Sequence, residues 1–178
     1  MIPFNKNILP RLKGVYVIGG SVRDLLLGRI PTDYDIAVTG NPEQYAKKLI
    51  AKSDGHLVRL GKPGRMIIRV ISGDMIFDIT SLNGTSIEDD LNERDFTINA
   101  MAYDLNGRKL FDPHGGTKDL RAGIIRAIGV PQERFAEDGL RLMRAARFAA
   151  DVCAFRGATT DRRDLYAGHL ARWAGEGP

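Results

Sequence analysis

Four apolar residues, Val15–Ile18, stop at Gly19-Gly20 and lead into Ser21-Val22-Arg23-Asp24-Leu25-Leu26-Leu27-Gly28. A short loop with Pro31 then brings the chain to Asp33-Tyr34-Asp35. No other stretch constrains the fold as much. The apolar run has the length and composition of a buried strand. The glycine pair permits a tight turn and the close approach of a ligand. Ser21 is suited to cap the helix that follows and Gly28 to end it. A helix start behind a glycine turn attracts phosphate through free N–H groups and the helix dipole. Arg23, in the first turn, can grip the same anion with two N–H groups.

Asp33 and Asp35 stand two residues apart. If Tyr34–Val38 is a strand, both carboxylates lie on one face. Acids placed side by side repel unless a cation lies between them, and Mg²⁺ takes oxygen ligands while keeping room for substrate phosphates. A lone Gly-Gly is ordinarily a turn, and a lone Asp-x-Asp a solvated loop or a cap. In strand–turn–helix–loop–strand order they point together to phosphoryl or nucleotidyl transfer with two metal ions.

The rest of the chain sets limits on this reading. With 178 residues, 43% of them hydrophobic, the chain can bury an ordinary core. A net charge of +4 permits a polyanionic partner. Every cation after Lys118 is arginine, which suits planar recognition of phosphate and base edges. Cys153 is the only cysteine, so an internal disulfide and a zinc cluster are excluded. The first residues lack a signal-peptide core and no apolar run is long enough to span a membrane, so a cytoplasmic protein is expected.

In chain order, a helical turn is expected within Asn5–Leu12, then a strand at Val15–Ile18 and a helix at Ser21–Leu27. A second strand follows at Tyr34–Val38, and a helix begins near Pro42 and runs to about Lys52. His56–Leu60 reads as a strand and Gly61–Gly64 as a loop. Met66–Ile71 and Met75–Thr80 flank Ser72-Gly73-Asp74 as a hairpin. Asp78 shares a strand face with Ile76 and Thr80. It is either a third carboxylate of the metal site or an exposed residue on an outer sheet face. Ser81–Asp90 is polar and reads as mobile. Asp95 or Thr97 can cap a short helix, and Asn106-Gly107 signals a second hairpin. His114 sits in a turn with no partner nearby in sequence and receives no role. Glu133–Ala150 carries the longest helical pattern, in which Asp138, Arg141, Arg144 and Arg147 form a slanted polar ridge. Taken alone, that ridge reads as a solvated helix face.

GGSVRDLLLGRIPTDYDIAV, RDFTINAMA and the Glu137-Asp138-x-x-Arg141 pattern occur here in one order. They resemble the signatures of the tRNA nucleotidyltransferase and poly(A) polymerase family, within the DNA polymerase β superfamily. The resemblance runs from about Val15 to Ala150. It implies an α/β (α+β) nucleotidyltransferase head at 1–130, the start of a helical neck at 131–152, and a tail at 153–178 without a family counterpart. It also implies template-independent transfer of NMP from CTP or ATP to the 3′ end of tRNA, with full CCA addition as the first reading. Poly(A) synthesis and CC- or A-only addition are the alternatives; the rival of another class is an inactive nucleotide- or RNA-binding module.

By the same resemblance Asp33 and Asp35 hold Mg²⁺, and Gly19, Gly20 and Arg23 seat the triphosphate. Arg94 contacts the triphosphate or sugar, while Asp95 and Asn99 brace the site or touch the ribose. Asp138 and Arg141 read the base edge, and Arg144 and Arg147 hold the nucleotide or its phosphates. A third acid commonly lies on a later strand in this superfamily, which favours Asp78. With little to cover the neck helix, Leu142, Met143 and Phe148 are expected to be partly exposed.

Overall fold

The computed structural model describes residues 8–62 and 65–158. Seven strands form one mixed sheet. They are β1 (Val15–Ile18), β2 (Asp33–Val38), β3 (His56–Lys62), β4 (Arg65–Ser72), β5 (Met75–Ser81), β6 (Ala102–Asp104) and β7 (Lys109–Phe111), in the order β3-β4-β5-β2-β1-β6-β7. Neighbours are antiparallel except β2 and β5, which run parallel. The helices are α1 (Gly20–Leu26), α2 (Pro42–Ser53), α3 (Ile87–Asn92), α4 (Gly116–Ala122), α5 (Pro131–Glu137) and α6 (Leu140–Ala158), with a 3-10 turn at Thr97–Asn99. None of these helices is long and apolar enough to cross a membrane.

The period-2 pattern of the central strands divides the core. Val15 and Val17 on β1, Tyr34, Ile36 and Val38 on β2, and Phe77 and Ile79 on β5 are buried on one face, against Tyr45, Ala46 and Leu49 of α2 and Val22 and Leu25 of α1. The other face carries a thinner layer of Ile18, Ala37 and Ala102 with Ile87 and Leu91 of α3. Alternation assigns Asp33 and Asp35 to this second face, beside Ile76 and Asp78 of β5. The larger core thus holds the sheet rigid from behind while the acids look out from the front.

Several expected elements differ in the structure. Ile8–Leu12 contains a bend and irregular backbone instead of helix, and Asn5–Asn7 lie outside the described residues. β3 continues through Gly61 to Lys62, pairing with β4 where a loop was expected, and Pro63-Gly64 lie outside the described residues. Ser81–Asp90 is not an open polar loop. Ser86 accepts from the Asp89 amide at 3.1 Å while Asp89 accepts from the Ser86 amide at 3.0 Å, and this reciprocal cap starts α3.

The Glu133–Ala150 helix is broken. Asp138 adopts extended backbone angles (φ −152°, ψ 105°), and its carboxylate accepts from the Leu140 amide at 2.9 Å, so α5 ends and α6 begins there. The broken pattern was hidden because an aspartate that can cap is also tolerated within a helix, and only Gly139 beside it marks the joint. The tail expected at 153–178 lies outside the described residues from 159 onward.

Candidate active site

One cleft of about 650 Å³ gathers residues from five parts of the chain: the turn into α1, strand β2, the Glu93–Asn99 segment, the α5–α6 joint and α6 itself. Of the residues singled out in the sequence, Gly20, Arg23, Asp33, Asp35, Arg94, Asp95, Asn99, Asp138, Arg141, Arg144 and Arg147 line it. Gly19 stands just behind the wall. Its φ of +65° needs glycine, and an added Cβ would sit 3.7 Å from the Asp35 carboxylate and 3.8 Å from Arg94. A larger cleft of about 780 Å³, beside Asn41, Arg59, Met66 and Asn83, contains none of these residues. Size alone therefore does not mark the site.

Ser21 does not cap α1. The helix begins at Gly19-Gly20 without a side-chain cap. Instead the buried Ser21 hydroxyl donates to the Asp33 carbonyl at 3.1 Å and accepts from the Asp35 amide at 2.9 Å. This ties α1 to the strand that carries both acids. Asp35 lines the cleft and is open to solvent, while protein atoms crowd its carboxyl. Burial pushes its carboxyl above the usual carboxylate range. Arg94 pulls it back, Asp78 and Asp33 push it further up, and Arg23 lowers it.

Asp78 lies in register with Asp35 on the parallel neighbour β5. Both of its carboxylate oxygens are taken by Arg69, at 2.7 Å each, and it does not line the cleft. Among the described residues no group of three or more His, Cys, Asp or Glu side chains converges to hold a metal. Asp33 and Asp35 remain as the pair whose like charges call for a cation. Two carboxylates with space for phosphate oxygens suit Mg²⁺, which seldom takes an all-protein cage.

Two of the acids that hold the arginines, Asp24 and Asp90, had no role in the sequence reading. Arg23 bonds Asn99 Oδ1 at 2.6 Å and Asp24 at 3.1 Å. Arg94 is paired with the buried Asp90, its partner at i, i+4 across the end of α3. That spacing was the legible signal for Asp90. Asp95 takes no capping role for the 3-10 turn at Thr97–Asn99, whose start has no side-chain cap. It accepts from the Phe96 amide at 2.8 Å, from Asn99 at 3.2 Å and from Arg144 Nε at 2.7 Å, so it joins the head to α6. Arg134 of α5 donates to the Glu93 and Arg94 carbonyls at 3.0 Å, and Arg141 donates to the Arg134 carbonyl and to Glu137, both at 2.6 Å. The ridge of the broken helix therefore lines the cleft, with Asp138, Arg144 and Arg147 still exposed to solvent. His114 contacts Asn92 at 2.9 Å and stays away from the cleft.

A strand, a glycine turn into a helix, two acids on the next strand and a wall of arginines define a nucleotidyltransferase head. The family model described as the poly(A) polymerase head domain matches residues 15–85 and 81–126, and the chain belongs to that family. It is 41% identical over 137 residues to a CC-adding tRNA nucleotidyltransferase of Halalkalibacterium halodurans, covering 77% of this chain and 34% of that protein. It is 40% identical over 153 residues to a CCA-adding enzyme of Lactobacillus helveticus (77% of this chain, 37% of that protein). To poly(A) polymerase I of Escherichia coli it is 39% identical over 157 residues (77% and 34%). A solved CCA-adding enzyme in complex with CTP matches at 39% identity and a TM-score of 0.69, over 76% of this chain and 34% of that one. A tRNA-processing enzyme without ligand matches at 28% identity and 0.72, over 98% and 48%. The chain spans about a third of the length of the curated relatives it matches.

Proposed function

We propose that this chain carries the catalytic head of a template-independent RNA nucleotidyltransferase, acting in the cytoplasm, which adds CMP and AMP from CTP and ATP to the 3′ end of tRNA. The observation that supports it is the single cleft where Asp33 and Asp35 meet Gly20, Arg23, Arg94, Asn99 and the Asp138–Arg147 wall. Gly20 and the start of α1 seat the triphosphate with Arg23, whose orientation Asn99 and Asp24 fix. Arg94 adds positive charge above Asp35, and Asp95 and Asn99 brace that segment beside the ribose. Asp138 and Arg141 offer an acceptor and donors to the base edge, with Arg144 and Arg147 along the phosphates.

Asp33 and Asp35 would hold Mg²⁺, which when bound activates the attacking 3′ hydroxyl and neutralises charge on the triphosphate. No protein nucleophile is required, so positioning and charge carry the acceleration. Asp78 contributes through its charge across the β2–β5 pair while Arg69 occupies its oxygens.

Poly(A) synthesis and CC-only addition stand as alternatives, because relatives with each of those names match at similar identity. An inactive nucleotide- or RNA-binding module is the other class. Incubating the chain with tRNA lacking its 3′ end and labelled CTP, ATP or both separates these outcomes. We expect nucleotide addition that Asp33→Asn or Asp35→Asn lowers by at least ~10²–10³-fold. Asp78→Asn should cost less than about tenfold, the scale of a lost charge interaction outside the reacting atoms. Wild-type-like addition by the Asp33 or Asp35 variant would remove the metal assignment. No addition of any nucleotide would favour the binding module.

A further inference from the structure

Three arginines meet at the ring of Phe148. Arg23 Cζ of α1 lies 5.0 Å from the ring centroid, and Arg144 and Arg147 of α6 lie at 5.4 and 4.8 Å. The ring is 3% exposed, and Phe96 packs edge-on to it at 5.8 Å. All three arginines line the cleft. Elsewhere on α6 the large apolar side chains are open to solvent: Leu140 is 68% exposed, Leu142 55% and Met143 72%. The expected exposure of Leu142 and Met143 is thus observed, but Phe148 is buried. The helix buries this ring and leaves its other described large apolar side chains outside.

Three guanidinium groups converging on one ring repel one another. Carboxylates can relieve that repulsion, but they consume N–H donors and cancel charge. Arg23 and Arg144 have such partners in Asp24 and Asp95. Arg147 makes its contact with the ring, and among the described residues no carboxylate pairs with it. An aromatic ring attracts a cation through its quadrupole without supplying an acceptor oxygen. The five N–H donors of each guanidinium need not be spent on it.

We infer that Phe148 is a positioning residue for the triphosphate. It gathers Arg23 from the head and Arg144 and Arg147 from α6 into one cationic seat, in which Arg147 and the N–H groups not taken by Asp24, Asn99 and Asp95 remain for phosphate oxygens. This rests on the reading of the cleft as a nucleoside-triphosphate site. The contact also spans α1 and α6, so the seat exists only when α6 is docked on the head.

Titration calorimetry on the full 178-residue chain, with Mg–CTP and separately with inorganic tripolyphosphate, tests the inference. Phe148→Leu should weaken both ligands alike by ~10-fold, on the scale of a desolvated cation–π contact. Arg147→Ala should do the same. The double variant should bind about as weakly as either single one, because both remove one coupled unit. Thermal melting checks that each variant folds. If Phe148→Leu does not melt cooperatively, Phe148→Met, which approximately conserves volume, replaces it in the same cycle.

Unchanged binding by a folded Phe148 variant would overturn the inference, as would losses that multiply to ~100-fold in the double variant. Loss of CTP binding with tripolyphosphate binding retained would move Phe148 to the base and also overturn it. Failure of the unaltered chain to bind either ligand would instead refute the triphosphate reading of the cleft, and the seat with it.

Discussion

The Ser21 hydroxyl and the Asp35 amide nitrogen are 2.9 Å apart, and the same hydroxyl donates to the Asp33 carbonyl at 3.1 Å. One side chain, 2% exposed, thereby fixes the backbone on both sides of Tyr34 relative to α1. Ser21→Ala leaves an amide donor without its acceptor inside the fold. It should cost ~1–3 kcal/mol of stability, read by denaturant unfolding. Because the acids would shift relative to the triphosphate seat, nucleotide addition should fall more than Mg–CTP affinity. Equal stability and equal addition in the variant would show that the bridge is incidental.

Asp35 lines the cleft two residues from Asp33 and in register with Asp78, and burial of its carboxyl, only partly offset by Arg94 and Arg23, acts with both like charges against its ionised form. A carboxylate so placed is a candidate for ligand binding and not for support of the fold. Asp35→Asn should therefore raise the melting midpoint in the presence of a chelator while removing nucleotide addition. Adding Mg²⁺ with CTP should raise the midpoint of the unaltered chain and not that of the variant, since only a ligand that binds the folded state stabilises it. A variant that melts lower than the unaltered chain in chelator would mean Asp35 supports the structure.

Asp138 performs two tasks that a single alanine substitution would confuse. Its carboxylate starts α6 by accepting from the Leu140 amide, and it also lines the cleft. Asp138→Asn keeps an acceptor for the cap, at a cost of a few tenths of a kcal/mol or less, given the similar capping strength of the two residues. It adds amide donors, so the preference among the four NTPs should change by ~10-fold or more on the scale of a bidentate base contact. Arg23→Ala should weaken all four alike, because phosphate contacts position and base contacts specify. Competition of each NTP against labelled Mg–CTP reads both. Equal losses for every NTP in the Asp138 variant would confine the residue to its capping role.

The strand–turn–helix order was legible because each step uses a residue type with few alternatives. Val15–Ile18 forms β1 within the expected bounds, Gly19 takes a positive φ, and Gly28, at φ +73°, follows the end of α1. The i, i+2 spacing placed Asp33 and Asp35 on one face because a strand has period 2. What escaped were tertiary pairings. Ser21 satisfies the cap pattern by sequence, yet a strand 12 and 14 residues away competes for its hydroxyl and wins. Asp78 was correctly placed on the face of Ile76, but Arg69 across β4–β5 could not be assigned to it without the register. Gly116 carried a signal that went unused. Any side chain there would collide with the Thr97 carbonyl, so α4 packs directly on the turn that presents Asn99.

That turn depends on Asp119 of α4. Its buried carboxylate accepts from Thr97 Oγ1 at 2.8 Å and from Arg126 at 2.9 and 3.1 Å, while the Thr97 amide donates to the Arg126 carbonyl at 2.9 Å. The Arg126 hydrogen bond, with help from Thr97, holds the Asp119 carboxyl below its ordinary value of 3.8 against the opposing effect of burial. A carboxylate whose value is depressed by folding stabilises the native state above 3.8, and that contribution is lost as pH falls through the lower folded value. Arg126 is 58% exposed, so solvent screens its share and the buried Thr97 bond carries the rest. Asp119→Asn should cost ~1–3 kcal/mol at neutral pH, and the gap to the unaltered chain should stay constant down to about pH 5 and close in stronger acid. Because Asn99 fixes Arg23 at 2.6 Å from the far side of the same turn, Mg–CTP affinity should fall with it, although Asp119 does not line the cleft. Urea unfolding at a series of pH values, with calorimetric CTP binding at pH 7, measures both effects. A gap that widens in acid would contradict the sign, and unchanged CTP affinity would separate α4 from the site.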